Sequence, residues 1–222
     1  MRLLIVGEGA TEVGAGSWQT AVHAGNVAMR EAGGVVTALV ARVLGRELER
    51  PMALCRDRLK GSLEDKVLAA VRHARLAGLD AVVFVHDADR RRSLIAMKLE
   101  KGRAKTLARI PGARVVTGVA VETTEAWTLG ARRAIAAVVG DSVDVIAELV
   151  PSDVETLSPK SGKPARASKA LVELLAARAN LSHIEFVEAV AAATDPAELR
   201  ERCPEGFAPF AAAVEGEFGE AG

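Results

Sequence analysis

The sequence has no tyrosine, and only two tryptophans and five phenylalanines among 222 residues. With so few rings the core has to be built from Ala, Val and Leu, which suits helices packed on a β-branched sheet. The same scarcity disfavours base recognition by aromatic stacking. Excess charge is lacking too, since 29 basic residues face 29 acidic ones. Zero net charge removes any overall basic field, so polyanion binding would require a local patch or a partner that brings positive charge. The two cysteines, Cys55 and Cys203, are far apart and have no metal-ligand spacing. A structural zinc site is therefore not expected, and nothing demands an oxidising compartment. Long hydrophobic runs are also missing. The apolar start Leu3-Leu4-Ile5-Val6 is broken by Gly7 and Glu8, which makes it too short for a signal peptide. No run approaches the roughly 20 residues of a membrane span. The expectation is a cytoplasmic protein with no membrane partner, built as one large domain or one domain with a small appendage.

What is present reads as alternating strands and helices. Residues 2–6 form a short apolar run entering the turn Gly7-Glu8-Gly9, the pattern of a buried strand. A helix is expected from about Thr11 to residue 31, residues 35–43 read as a Val-rich second strand, and residues 46–61, with Pro51, as a connecting loop. Over residues 62–77, Ser62 opens a capping-box pattern with Asp65, and Leu63, Val67, Leu68 and Val71 recur at helical spacing. Residues 80–85 are the clearest strand, emerging at His86-Asp87-Ala88-Asp89. A helix over 92–109 and a strand over 114–121 follow. Strands alternating with helices indicate a mostly parallel sheet. Beyond Glu125 only helical patterns remain, over 125–139, 168–179 and 184–193. Residues 151–166 carry three prolines and read as a loop. The Glu- and Gly-rich tail from Cys203 is expected to fray at its end.

Parallel sheets place ligands at the carboxyl ends of their strands, and acids stand at three such ends. Glu8 and Glu12 follow the first strand, Asp87 and Asp89 the clearest one, and Glu122 and Glu125 the last. Crowded carboxylates repel one another unless a cation sits among them. Mg²⁺, which prefers hard oxygen ligands, is the natural guest. Taken singly, each acid reads equally well as a loop residue or a helix cap. The run Gly7-Glu8-Gly9-Ala10-Thr11-Glu12 begins like a dinucleotide fingerprint, but Glu12 stands where the third glycine belongs and would face a pyrophosphate. No Gly-Lys-Ser/Thr triplet completes a P-loop. Asp-x-Asp also occurs in sugar-nucleotide transferases and phosphohydrolases, which leaves the glutamates after the first strand unexplained.

The pair Glu8-Gly9-Ala10-Thr11-Glu12 after Leu-Leu-Ile-Val, and His86-Asp87-Ala88-Asp89-Arg90 after a later strand, resembles the TOPRIM signature. That domain is shared by topoisomerases, bacterial primases, small nucleases and the OLD (overcoming lysogenization defect) nucleases. Glu122-Thr-Thr-Glu125-Ala126-Trp127 and Pro159-Lys160 are similar to segments of the short stand-alone OLD-type proteins. The resemblance covers residues 1–130 and touches again near Lys160, and Gly7 departs from it, where the family carries an apolar residue. It implies an α/β fold with a mostly parallel, Rossmann-like TOPRIM sheet flanked by helices. A TOPRIM-like core over 1–130 would then carry a C-terminal helical appendage over 131–222, packed on that core. It implies Mg²⁺ or Mn²⁺ held by Glu8, Glu12, Asp87 and Asp89, with Glu122 and Glu125 completing a second site. Glu8 is alternatively a general base, and Lys160 either stabilises charge on phosphoryl oxygens or is a solvated loop lysine. The activity implied is cleavage of nucleic acid, DNA favoured over RNA, in phage defence beside a separate ABC-type or AAA-type ATPase.

Other residues carry two readings each. Arg90, Arg91, Arg92, Lys98, Lys101, Arg103, Lys105 and Arg109 are phosphate contacts or a solvated helix face. Lys163, Arg166 and Lys169 read as solvated charge. His86 reads as a packed or hydrogen-bonded histidine rather than a ligand. His23, His73 and His183 share no spacing, and Trp127 reads as a core anchor. Beside the nuclease stands a second reading, a non-catalytic TOPRIM-like subunit that binds and regulates an ATPase. A third is a nucleotidyl or sugar-nucleotide transferase.

Overall fold

The computed structural model describes residues 1–14, 22–24, 27–88, 91–121, 123–157 and 165–219. Its strands are β1 (Leu3–Gly7), β2 (Val22–Ala24), β3 (Val27–Glu31), β4 (Met52–Cys55), β5 (Ala81–Asp87) and β6 (Val115–Ala120). They lie in the order β2-β3-β4-β1-β5-β6. The four strands β4, β1, β5 and β6 are mutually parallel, and β3 runs antiparallel to β4 and to β2. The chain is thus an α/β protein with a mostly parallel sheet.

The helices are α1 (Ala10–Val13), α2 (Gly34–Leu44), α3 (Leu63–Leu76), α4 (Arg92–Arg109), α5 (Thr124–Gly130) and α6 (Arg132–Val139), then α7 (Val143–Leu149), α8 (Ala165–Arg178), α9 (His183–Ala193), α10 (Pro196–Arg202) and α11 (Phe207–Phe218). Alternation along the strands splits the core between the two faces of the sheet. Leu4, Val6, Val82 and Phe84 pack against Val67, Leu68 and Val71 of α3 and Ile95 and Leu99 of α4. On the other face Ile5, Val83 and Val85 share one apolar cluster with α2 and with Trp127, Phe186, Phe207, Phe210 and Phe218. Trp127 stacks on Phe210 with ring centroids 5.2 Å apart and meets Phe207 edge-on at 5.6 Å. Trp127 and all five phenylalanines are buried. Among the described residues the rings are therefore spent on packing.

Three local expectations are corrected. Residues 35–43 are helix α2, not a strand. Val35, Val36, Leu39 and Val40 are its buried positions, a helical spacing that outweighs the β preference of valine. Of the predicted helix from Thr11 to residue 31, the described residues form the single turn α1 and then strands β2 and β3. The close approach of Gly14 to Gly33 and Gly34 explains the glycines there. A Cβ on Gly34, whose φ is +73°, would lie 2.4 Å from the Gly14 nitrogen. Third, the presumed loop over 46–61 contains β4. Its apolar Met52-Ala-Leu-Cys55 pairs beside β1 through Leu4↔Met52 to Gly7↔Cys55.

Elsewhere pattern and structure coincide. Ser62 and Asp65 form the reciprocal capping box of α3, and α4 spans 92–109. From Thr124 onward the described residues form helices and no strand. The last residues of the tail, 220–222, lie outside the described residues, and the tail before them is helical. Phe207, Phe210, Val214 and Phe218 make α11 a buried amphipathic helix.

Candidate active site

The chain leaves β1 towards β4 on one side and later places β5 on the other. The topological switch point therefore lies between the carboxyl ends of β1 and β5, where open α/β sheets form their ligand crevice. Glu8 follows β1 at this point, and His86 and Asp87 end β5. The Cys55 thiol donates to the Glu8 backbone carbonyl at 3.0 Å, tying the end of β4 to the turn after β1. This brings Arg56 over the crevice, where it ion-pairs with Glu8 Oε1. The same oxygen is 3.0 Å from His86 Nδ1. Arg56 Nη1 lies 2.8 Å from His86 Nε2. A guanidinium can only donate, so Nε2 accepts and the ring proton sits on Nδ1, towards Glu8 and the Asp87 carbonyl at 2.6 Å. Burial acts to raise the Glu8 pKa. The His86 hydrogen bond and the Arg56 charge outweigh it and hold the carboxyl below its usual range.

A second, inward-facing group lies behind the first. Glu12 on α1 is buried, and a side chain on Gly7 would strike its Cβ at 2.6 Å. That contact explains glycine at position 7. Glu12 Oε2 accepts from the Gly9 N–H at 2.6 Å, and Oε1 accepts from the Thr124 hydroxyl at 2.9 Å. The Thr124 N–H donates to Asp87 Oδ1 at 3.1 Å. The neighbouring Glu125 is buried, with Oε1 3.6 Å from His183 Nε2. Burial pushes the Glu12 pKa up and the Glu125 charge adds to this. The hydrogen bonds from Gly9 and Thr124 oppose the rise without cancelling it.

Of the acids singled out in the sequence, Glu12 and Asp87 are joined through Thr124, Glu125 is close enough for its charge to act on Glu12, and Glu8 is paired with Arg56 and His86. Asp89, Glu122 and Lys160 lie outside the described residues, as do Arg90 and Lys163. Among the described residues no group of three or more His, Cys, Asp or Glu side chains is placed to hold one metal ion.

Four participants had no role assigned from the sequence. Arg56 and Lys66 line an open cleft of about 310 Å³ with Glu8, Leu63, His86 and Arg91. Thr124 bridges two acids, and His183 approaches Glu125. The apolar run before Arg56 was the available signal, since it marks a strand end at the carboxyl edge. Thr124 and His183 carry none, because only folding brings them to these acids.

No helix among the described residues is long and apolar enough to cross a membrane. Compared with known proteins, the chain matches no family model, no curated protein and no solved structure.

Proposed function

We propose that this chain is a divalent-metal-dependent nuclease of TOPRIM type, similar to the stand-alone OLD-type proteins, that hydrolyses nucleic-acid phosphodiesters. The observation that carries the reading is the gathering of acids from β1, β5 and the segment after β6 at the switch point, with Arg56, Lys66 and Arg91 lining the adjoining cleft. The donor chemistry suits Mg²⁺ or Mn²⁺, since every acid offers hard oxygen. The described side chains do not by themselves surround one ion, and the proposed ligand set includes Asp89 and Glu122, the remaining acids of the two motifs. A bound ion of this kind supplies an activated water and stabilises charge on phosphoryl oxygens.

The chain's own groups divide the remaining work. Glu8, held anionic by His86 and Arg56, suits an oxygen donor better than a base that must collect a proton at neutral pH. Both carboxylate oxygens of Glu12 are engaged. It acts as a positioning residue, orienting Thr124 and through it Asp87. Arg56, Lys66 and Arg91 present N–H donors to a phosphate, and Lys160 keeps the charge-stabilising role implied by resemblance. The same resemblance extends the proposal to phage defence with an ATPase on a separate chain.

One observation favours the second reading, a non-catalytic subunit that regulates such an ATPase: Glu8 is already neutralised by protein partners. A metal titration separates the two. Mg²⁺ or Mn²⁺ at about 100 times Kd stabilises a binding protein by about 2.7 kcal/mol. The wild type should show such a rise and cleave plasmid. Asp87→Asn, whose amide oxygen can still accept from Thr124, should lose both. Equal responses of the two proteins to Mn²⁺ would remove the metal site and leave the regulatory reading.

A further inference from the structure

Helix α4 concentrates charge in a chain that is neutral overall. Residues 92–109 with the preceding Arg91 hold seven cations and one carboxylate, Glu100, against chain totals of 29 and 29. Three of the seven are held by the protein. Arg92 pairs with Glu205, Arg103 lies 3.6 Å from Glu100 and 3.9 Å from Glu217, and Lys105 lies 2.5 Å from Asp65. Arg91, Lys98, Lys101 and Arg109 form no ion pair among the described residues. Glu64 of α3 is within electrostatic reach of Lys98 and Lys101.

The buried side of α4 is Ile95, Leu99, Gly102 and Thr106. At 100° per residue, Arg91, Lys98, Lys101, Lys105 and Arg109 fall in a wedge about 80° wide, along a helix about 27 Å long. Leu94, 42% exposed, shares that wedge. The row is continuous with the candidate site, because Arg91 also lines the cleft of Glu8, Arg56, Lys66 and His86.

We infer that the exposed face of α4 is a track for the sugar–phosphate backbone of a nucleic acid, leading it into the crevice between β1 and β5. The choice of partner rests on the proposed action on phosphodiesters. The charge pattern fits independently. A strand advances about 3.4 Å per nucleotide along the helix axis, so the track faces several phosphates at once. Buried aromatic rings leave backbone contact, rather than stacking, as the mode of engagement among the described residues. Within this wedge α4 itself carries no carboxylate, and the acids that face it, Glu64 and Asp65, come from α3.

The test is fluorescence anisotropy of a labelled 20-base-pair duplex and the matching single strand, in EDTA, across a series of KCl concentrations. Lys98→Gln/Lys101→Gln/Arg109→Gln should weaken duplex binding and reduce the slope of log K against log salt by about 2.7, at about 0.9 per phosphate contact. Lys98→Arg/Lys101→Arg should keep the wild-type slope. So should the control Arg50→Gln/Lys169→Gln, which removes charge elsewhere on the surface. A triple variant with the wild-type slope overturns the track, even if the protein binds metal and cleaves. Wild type that ignores both nucleic acids but binds vesicles of anionic lipid overturns it too. A lowered slope in a protein that binds no metal upholds the track and sinks only the nuclease reading.

Discussion

Thr124→Val tests whether the inner acids form one connected unit. Valine keeps the shape of threonine and leaves the Thr124 N–H free to donate to Asp87, but it removes the hydroxyl that serves Glu12 at 2.9 Å. Both side chains are buried, so water cannot replace the lost donor. A hydrogen bond to a charged group contributes about 1.5–3 kcal/mol. At about 2–4 °C per kcal/mol for a domain of this length, the melting temperature at pH 7 should fall by about 3–12 °C. The sign of the pH dependence follows from Glu12, whose carboxyl is pushed above its usual range by burial. A carboxyl that holds its proton more tightly folded than unfolded contributes most below its unfolded value of 4.5, and that contribution is lost as pH rises through the folded pKa. Removing the Thr124 donor raises that pKa further. The deficit of Thr124→Val should therefore be largest at neutral pH and narrow as pH falls through the titration of Glu12. In a Glu12→Gln background the amide still satisfies Gly9, and the Thr124 deficit should shrink, giving a measurable coupling. Calorimetry in EDTA from pH 4 to pH 8 reads all of this. A deficit independent of pH, or undiminished by Glu12→Gln, would refute the connection.

Two further outcomes test the outer cluster and the core. Arg56→Gln should raise the Glu8 pKa, read by NMR titration of its carboxyl carbon. Wild type should also lose, as pH falls through the depressed Glu8 pKa, stability that the variant lacks. An unmoved titration would show that Arg56 does not hold Glu8 anionic. Of the two thiols, Cys203 is fully buried and burial pushes its pKa far up. An aromatic disulfide reagent should modify Cys55 in the native protein and Cys203 only on unfolding. Release of two thiols from the folded chain would contradict this packing.

The sequence by itself determined the elements whose signals are local. The Ser62–Asp65 capping box closes the first turn of α3, the helical pattern of α3 buries Val67, Leu68 and Val71, and the unbroken Ala-Val-Val-Phe-Val of β5 is apolar on both faces, as a central parallel strand requires. Each formed where its pattern predicted. It also determined that acids follow β1, β5 and β6, since a parallel sheet puts those residues at one edge whatever surrounds them. Elements with conflicting local signals were decided by tertiary contacts. Valine in α2 favours a strand until Val35, Val36, Leu39 and Val40 find the sheet face that a helix alone can cover. Met52 to Cys55 is too short to announce itself and became a strand because β1 offered a parallel partner. Above all, folding decided how the acids differ. Glu8 and Glu12 are four residues apart in one motif, yet Arg56 and His86 stabilise the charge on one while burial beside Glu125 opposes it on the other. A carboxylate's protonation is set by what lies around it in space, and those neighbours come from far along the chain, Arg56 being 48 positions from Glu8 and Thr124 112 positions from Glu12.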